Sequence, residues 1–188
     1  MIHIINASHL PDSDLQPIAD AVERVFRRPV RLQRRPLDYE RAFDDSRGQF
    51  SSGILLGQLL ADDNLIGRKE IVVVDVDLFI PVLTFIFGEA QFEGAAAIVS
   101  AYRLSDEFYG LPTDHAKLLT RLEKEVVHEL GHTFGLYHCH QFECVMRSST
   151  YVEEIDLKQS TPCLECRRLL DRKNENSSLP EIRLQESL

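Results

Sequence analysis

Val127-His128-Glu129-Leu130-Gly131-His132-Thr133-Phe134-Gly135-Leu136-Tyr137-His138 decides the reading of this 188-residue chain. The stretch spells His-Glu-x-x-His-x-x-Gly-x-x-His. On a helix, His128 and His132 are four residues apart, so they project from one face, a turn above one another. That places two nitrogen donors on a single zinc ion, while Glu129 can reach a water on the ion's open side. Gly135 lets the chain leave the helix with a positive φ, which costs little without a Cβ. His138 can then swing back as a third ligand. Three protein ligands leave the fourth position for water, the mark of a catalytic rather than a structural site. A bare His-Glu-x-x-His arises often by chance. The added glycine and third histidine make a metal-free reading poor, because three imidazoles this close together are costly to bury without coordination or hydrogen bonds.

All four cysteines follow within a short stretch, as Cys139-x-x-x-x-Cys144 and Cys163-x-x-Cys166. Two close pairs separated by a connector are the pattern of a four-thiolate structural zinc site. Thr161-Pro162 reads as an N-cap and first helical residue, opening a helix through Cys166, Leu169 and Leu170. The dipole of such a helix favours thiolate at Cys163. Disulfides and inert buried thiols are the competing readings. Met1-Ile2-His3-Ile4-Ile5-Asn6 has neither the basic nor the apolar region of a signal peptide, so the expectation is a cytoplasmic chain. In that reducing compartment metal is favoured over disulfide.

The histidines and Glu129, followed by Cys139, Cys144, Met146 and the Cys163/Cys166 pair, resemble the archaemetzincins, a metzincin-like zinc metallopeptidase family. Met146 is similar to the Met-turn methionine that lies beneath a metzincin zinc site. The likeness rests in detail on residues 128–166. Upstream, Phe85-Ile86-Phe87-Gly88-Glu89-Ala90 and Ala97-Ile98-Val99-Ser100 look like the family's sheet strands. The resemblance implies an α/β (α+β) fold, a metzincin-like zincin domain with a twisted mixed β-sheet, backing and active-site helices, and a small C-terminal zinc-stapled part. It also implies two zinc ions, a catalytic one on His128, His132 and His138 and a structural one on Cys139, Cys144, Cys163 and Cys166. The segment Thr84–Ala90 would border the cleft and pair with an extended substrate. The expected activity is peptide-bond hydrolysis through a zinc-bound water activated by Glu129. The alternative is a zinc-stabilised peptide- or protein-binding module with little or no hydrolysis. A purely structural site has no use for a carboxylate beside its first ligand, so Glu129 discriminates between the two. Tyr137 and Tyr151 lie near enough in sequence to steady an oxyanion, without a motif to support either.

The remaining sequence fits one domain over residues 1–172, with 1–135 and 136–172 as its two parts and 173–188 as a flexible tail. A hydrophobic content of 44% and a charged content of 27% suit a globular protein. The net charge of −9 argues against nucleic acid as a partner. The longest apolar run, Leu78–Phe87, is too short for a membrane span and reads as a buried strand pair. The expected partner is a peptide or unstructured protein, and the expected state a monomer. Ile2–Asn6, Val30–Arg34 and Glu70–Val76 read as strands, and two more are expected between Asp75 and Tyr102. Asp12 or Ser13 caps a helix with an apolar stripe from Leu15 to Phe26, Ser51-Ser52 opens a second, and Thr113 or Asp114 begins the long helix into the zinc motif. Phe43–Ser52 reads as a surface loop.

Overall fold

A computed structural model of the protein describes residues 1–61 and 67–176. The chain runs through Ile2–Asn6 (β1), Asp12–Phe26 (α1), Val30–Arg34 (β2), Phe43–Asp44 (β3), Gln49–Ser51 (β4), Ser52–Leu60 (α2), Lys69–Val74 (β5), Leu78–Phe79 (β6), Gly88–Ala90 (β7) and Ala96–Ser100 (β8). His115–Thr133 (α3), Val152–Asp156 (α4) and Leu164–Asn176 (α5) follow. The main sheet has the order β2-β1-β5-β8-β7. Its first four strands are parallel, and β7 closes one edge antiparallel to β8. The fold is mixed α/β, as the sequence led one to expect.

Alternation along the strands sends residues to two apolar layers. Ile4, Ile71, Val73, Ala97 and Val99 face α1 and α3 and meet Leu15, Val22, Phe26, Val126 and Leu130. Ile5, Val72, Val74 and Ile98 face the other way, onto Leu55, Leu56 and Leu59 of α2. The sheet is thereby covered on both sides. β7, at the edge, is the strand alongside which a cleft can open.

Helix starts depart from expectation where the side chain is needed elsewhere. Asp12 opens α1 as its first residue, behind Pro11, rather than capping it. Its carboxylate accepts from Asn6 Nδ2 at 2.7 Å and pairs with Arg34 Nε at 3.0 Å. α5 begins at Leu164 rather than at Pro162, with the Cys163 carbonyl accepting from Arg167 N at 2.8 Å. The Thr161 carbonyl is taken by Val145 N at 3.3 Å, which holds Thr161 outside the helix. Asp114 does cap α3, accepting from Lys117 N at 2.9 Å.

Three expectations from sequence are corrected. Phe43–Ser52 is no loop: β3 and β4 form an antiparallel hairpin, and β4 pairs with β6 in a second, three-stranded sheet. Asp44 Oδ1 accepts from Ser46 N and Oγ at 2.9 and 2.6 Å, and Gly48 takes φ +63° to close the turn. Leu78–Phe87 is not a buried strand pair, because β6 ends at Phe79 and Val82 and Leu83 lie exposed in the following turn. Nor does the chain fray at Lys173. α5 continues to Asn176, with Asn174 Oδ1 accepting from Arg28 Nε at 3.0 Å and Lys173 paired with Glu93. The rest of the expected tail, 177–188, lies outside the described residues.

α3 is fixed lengthwise by a buried arginine. Arg121 donates to Asp106 Oδ1 at 2.7 Å and to both Asp156 oxygens at 2.7 and 2.8 Å, tying the helix to the segment before it and to α4. These carboxylates hold its guanidinium well above its ordinary pKa against the effect of burial. Arg121→Met leaves two carboxylates without their cation and is expected to destabilise the fold by about 3 kcal/mol. Denaturant unfolding measures it, and a change within about 0.5 kcal/mol, the range of ordinary surface substitutions, would contradict the role.

Candidate active site

α3 carries His128, Glu129 and His132 on its last two turns and then stops in a tight cap. Gly135 N donates to His132 O at 2.9 Å and Leu136 N to Gly131 O at 3.0 Å, with Gly135 at φ +81°. That is a Schellman cap, and only a residue without a Cβ adopts its positive φ at little cost. The turn brings His138 back to the helix face. One nitrogen from each of the three imidazoles falls within 4.8 Å of the other two.

The hydrogen bonds define which nitrogens converge. His128 Nδ1 lies 2.8 Å from Val145 O and His132 Nδ1 lies 2.7 Å from Leu136 O. A carbonyl only accepts, so each Nδ1 carries the proton and each Nε2 presents a lone pair. Those two Nε2 atoms face one another at 3.1 Å. Burial above all, with Lys158 and His132 adding to it, holds His128 well below the ordinary imidazole pKa. His132 and His138 are lowered too, again chiefly by burial. Neutral imidazoles with converging lone pairs repel unless a cation sits between them. Zinc–nitrogen bonds of 2.0–2.1 Å in a tetrahedron set a nitrogen–nitrogen edge of about 3.3 Å, close to the 3.1 Å between His128 and His132.

Glu129 points into a cleft of about 410 Å³ shared with His128 and His138 and walled by Leu83–Gly88, Glu125 and Ser148–Thr150. Burial first, and the Glu125 carboxylate next, push its carboxyl well above the ordinary range, while Lys158 opposes them. Gly88 of β7 presses on this side chain: a Cβ there would come within 2.8 Å of Glu129 Oε1 and 2.7 Å of Ile98 O. Sequence reasoning placed Gly88 in an edge segment without seeing this need. The edge strand is also narrower than the expected Thr84–Ala90, since only Gly88–Ala90 pairs with β8. Neither tyrosine lines the cleft. Tyr137 packs its exposed ring on Phe92, 4.5 Å between centroids, and Tyr151 is exposed.

The cysteines gather beside the imidazoles. All four Sγ atoms lie within 4.8 Å of one another, and Cys139–Cys163 and Cys144–Cys166 are each 3.8 Å apart. A disulfide needs about 2.05 Å, whereas zinc–sulfur bonds of about 2.3 Å in a tetrahedron set sulfur–sulfur edges of about 3.8 Å. Burial pushes the Cys144 and Cys166 thiols up. At Cys163 burial is outweighed by the Cys166 N–H and the neighbouring sulfurs, so its thiol is lowered, as its place at a helix start led one to expect. Cys139 N donates to Met146 O at 2.9 Å, joining the cysteine cluster to the methionine.

Met146 itself is wholly buried under Gly131, on the helix between the two histidines. A Cβ on Gly131 would collide with Met146 Sδ and lie 2.8 Å from its Cε. Gly131→Ala should therefore destabilise by about 1–3 kcal/mol, read by thermal or denaturant unfolding. Shortening the methionine in the same chain should recover part of the loss, and strict additivity of the two changes would contradict the contact.

The sequence model of Peptidase family M54 matches residues 41–172. The archaemetzincin of Thermococcus kodakarensis is 34% identical over 181 residues, covering 93% of this chain and 97% of that one. The archaemetzincin of Methanocaldococcus jannaschii is 41% identical over 133 residues, 70% of this chain and 72% of that one. Among solved structures, the Methanopyrus kandleri archaemetzincin superposes with a TM-score of 0.82 at 31% identity, over 93% of this chain and 94% of that one. A zinc-dependent peptidase from Methanocorpusculum labreanum does so with a TM-score of 0.82 at 32% identity, over 90% and 100%. With converging imidazoles, a buried glutamate and a cysteine cluster in the matched region, the chain belongs to peptidase family M54, the archaemetzincins, and is a zinc metallopeptidase.

Proposed function

We propose that His128, His132 and His138 hold a catalytic zinc ion, that Cys139, Cys144, Cys163 and Cys166 hold a second, structural one, and that Glu129 is the general base for peptide-bond hydrolysis. The observation that carries this reading is the pair of Nε2 lone pairs 3.1 Å apart beside a buried carboxylate in an open cleft. Bound there, zinc supplies a Lewis acid that polarises the scissile carbonyl and acidifies the attacking water. Val145 O and Leu136 O orient the first two imidazoles through their Nδ1 protons, which fixes the tautomer and the ring planes.

Glu129 moves the proton. Its burial among carboxylates gives it a high proton affinity, and a dication on the three imidazoles would draw that affinity down again. The carboxylate so poised takes a proton from the attacking water and delivers it to the departing amine. β7 offers its free edge to an extended peptide, and Gly88 lets that strand lie close over Glu129.

Glu129→Ala removes the proton carrier and none of the proposed ligands. Peptide hydrolysis by the zinc-loaded variant should fall by at least about 10²-fold, the lower end for general acid–base catalysis. Zinc content should not change. A variant that keeps its activity would overturn the role of Glu129, and one that loses zinc would show that Glu129 belongs among the ligands.

His138 and Cys139 are neighbours, so one peptide unit joins the two sites. The cysteine zinc is proposed to fix the backbone that presents His138, helped by Cys139 N on Met146 O. Cys166→Ser, remote in sequence from the histidine motif, should lower thermal stability and also weaken zinc binding at the histidines. A folded Cys166→Ser protein with full activity and unchanged zinc affinity would contradict this coupling.

A further inference from the structure

One wall of the cleft is charged in a way that the hydrolytic chemistry does not use. Glu125 lies four residues before Glu129 on the same face of α3, about 6 Å along the axis, and lines the cleft with it. Its side chain is 5% exposed, and its Oε1 accepts from Lys158 Nζ at 3.0 Å. Lys158 is sealed behind it with a fully buried side chain. All three ammonium protons are committed, to Glu125, to Arg147 O at 3.0 Å and to Val145 O at 3.5 Å. Glu125 Oε2 has no such partner among the described residues. In the lining of the same cleft, Ser149 Oγ is buried and makes no hydrogen bond among the described residues. The same cleft is lined by Phe85 and Phe87, whose rings pack edge to face with centroids 5.4 Å apart.

Apart from the zinc proposed on the imidazoles, the charged side chains lining this recess are carboxylates. Glu129 and Glu125 line it, and Glu89 is near enough to raise Glu129, with its Oε2 on Ser52 Oγ at 2.5 Å. The nearby cations are engaged. Arg103, stacked on Phe85 at 4.2 Å, is bound to both oxygens of Asp77 at 2.5 and 2.7 Å. Arg47 donates to the Leu83 and Thr84 carbonyls at 2.8 and 3.1 Å and lies over Phe79. The cleft thus combines two aromatic rings with an acceptor carboxylate and a hydroxyl without a hydrogen bond, in the same lining as the residue proposed to handle the proton.

An aliphatic stem ending in a cation has the chemistry to match such a lining: methylenes pack on aromatic rings and a charged head seeks acceptor oxygens. We propose that this recess is the specificity pocket for a lysine or arginine side chain immediately flanking the scissile bond, with Glu125 Oε2 and Ser149 Oγ as its acceptors and Lys158 as the residue that positions Glu125. The inference rests on the peptidase reading of the site and names the substrate class for it.

The test uses zinc-loaded full-length protein and matched peptides that differ at one residue, lysine against its neutral isostere norleucine and arginine against citrulline. The expected result is a preference in kcat/KM of at least about tenfold for each charged member, always on the same side of the cut. Binding of the same peptides to Glu129→Ala protein by calorimetry should show the preference without turnover. Glu125→Gln combined with Lys158→Met removes the pair without stranding a buried charge, and should bring the lysine-to-norleucine ratio to within about twofold. Should that variant not fold, Ser149→Ala, which strands no charge, is expected to lower the ratio by about threefold. Equal cleavage of lysine and norleucine peptides by the unaltered protein would overturn the pocket assignment while leaving the peptidase reading intact. Cleavage of no peptide in the set would overturn both.

Discussion

Two neutral imidazoles whose lone pairs face each other at 3.1 Å are the constraint on which the rest of this structure turns. No group among the described residues relieves that repulsion, and much of the fold is arranged to enforce it. The Schellman cap at Gly135 ends α3 where His138 can return, the Val145 and Leu136 carbonyls hold the Nδ1 protons away from the centre, and Met146 fills the space under Gly131. A site preorganised against such repulsion suits the cation proposed for it. The sheet's contribution is β7, which places a glycine where any side chain would collide with the neighbouring carboxylate.

The second cluster explains how a small C-terminal part can be so exact. After Thr133 the chain has only the short α4 and the 13-residue α5 as regular structure among the described residues. Leu136, Val145, Met146, Val152, Ile155 and Leu170 pack that stretch onto the main core, but most of it is irregular backbone between them. On the second zinc proposed above, four sulfurs drawn from two separated segments would add to that packing, and the Cys139 N–H to Met146 O bond would carry the restraint to the turn under α3. Lys158 adds a third tie, reaching Glu125 on α3 and two carbonyls of the Met146 turn at once.

What was legible in the sequence was whatever depends on short spacing. The offsets of His128, Glu129, His132, Gly135 and His138 follow from helical geometry and one glycine turn, and the cysteine pairs follow from local ligand spacing. The strands Ile2–Asn6 and Val30–Arg34 were legible because their composition and the turns around them agree. What was not legible depends on partners distant in the chain. Glu125 sits three residues before His128, so helical spacing alone could have placed it on the cleft face. Its partner Lys158, 33 residues on, had no signal at all. The β3–β4 hairpin was missed because its Asp-Asp-Ser-Arg-Gly turn looks like a loop until β6 arrives to pair with it. The start of α5 was misjudged because a tertiary hydrogen bond to Thr161 overrides a good local capping signal.

Anomalous diffraction at the zinc edge from crystals of the protein, grown without added metal, bears most directly on the central claim. A peak is expected 2.0–2.1 Å from Nε2 of His128 and His132 and equally close to a nitrogen of His138, with no fourth protein ligand. An imidazole cluster without a peak, or a peak whose fourth position is filled by a protein side chain, would contradict it.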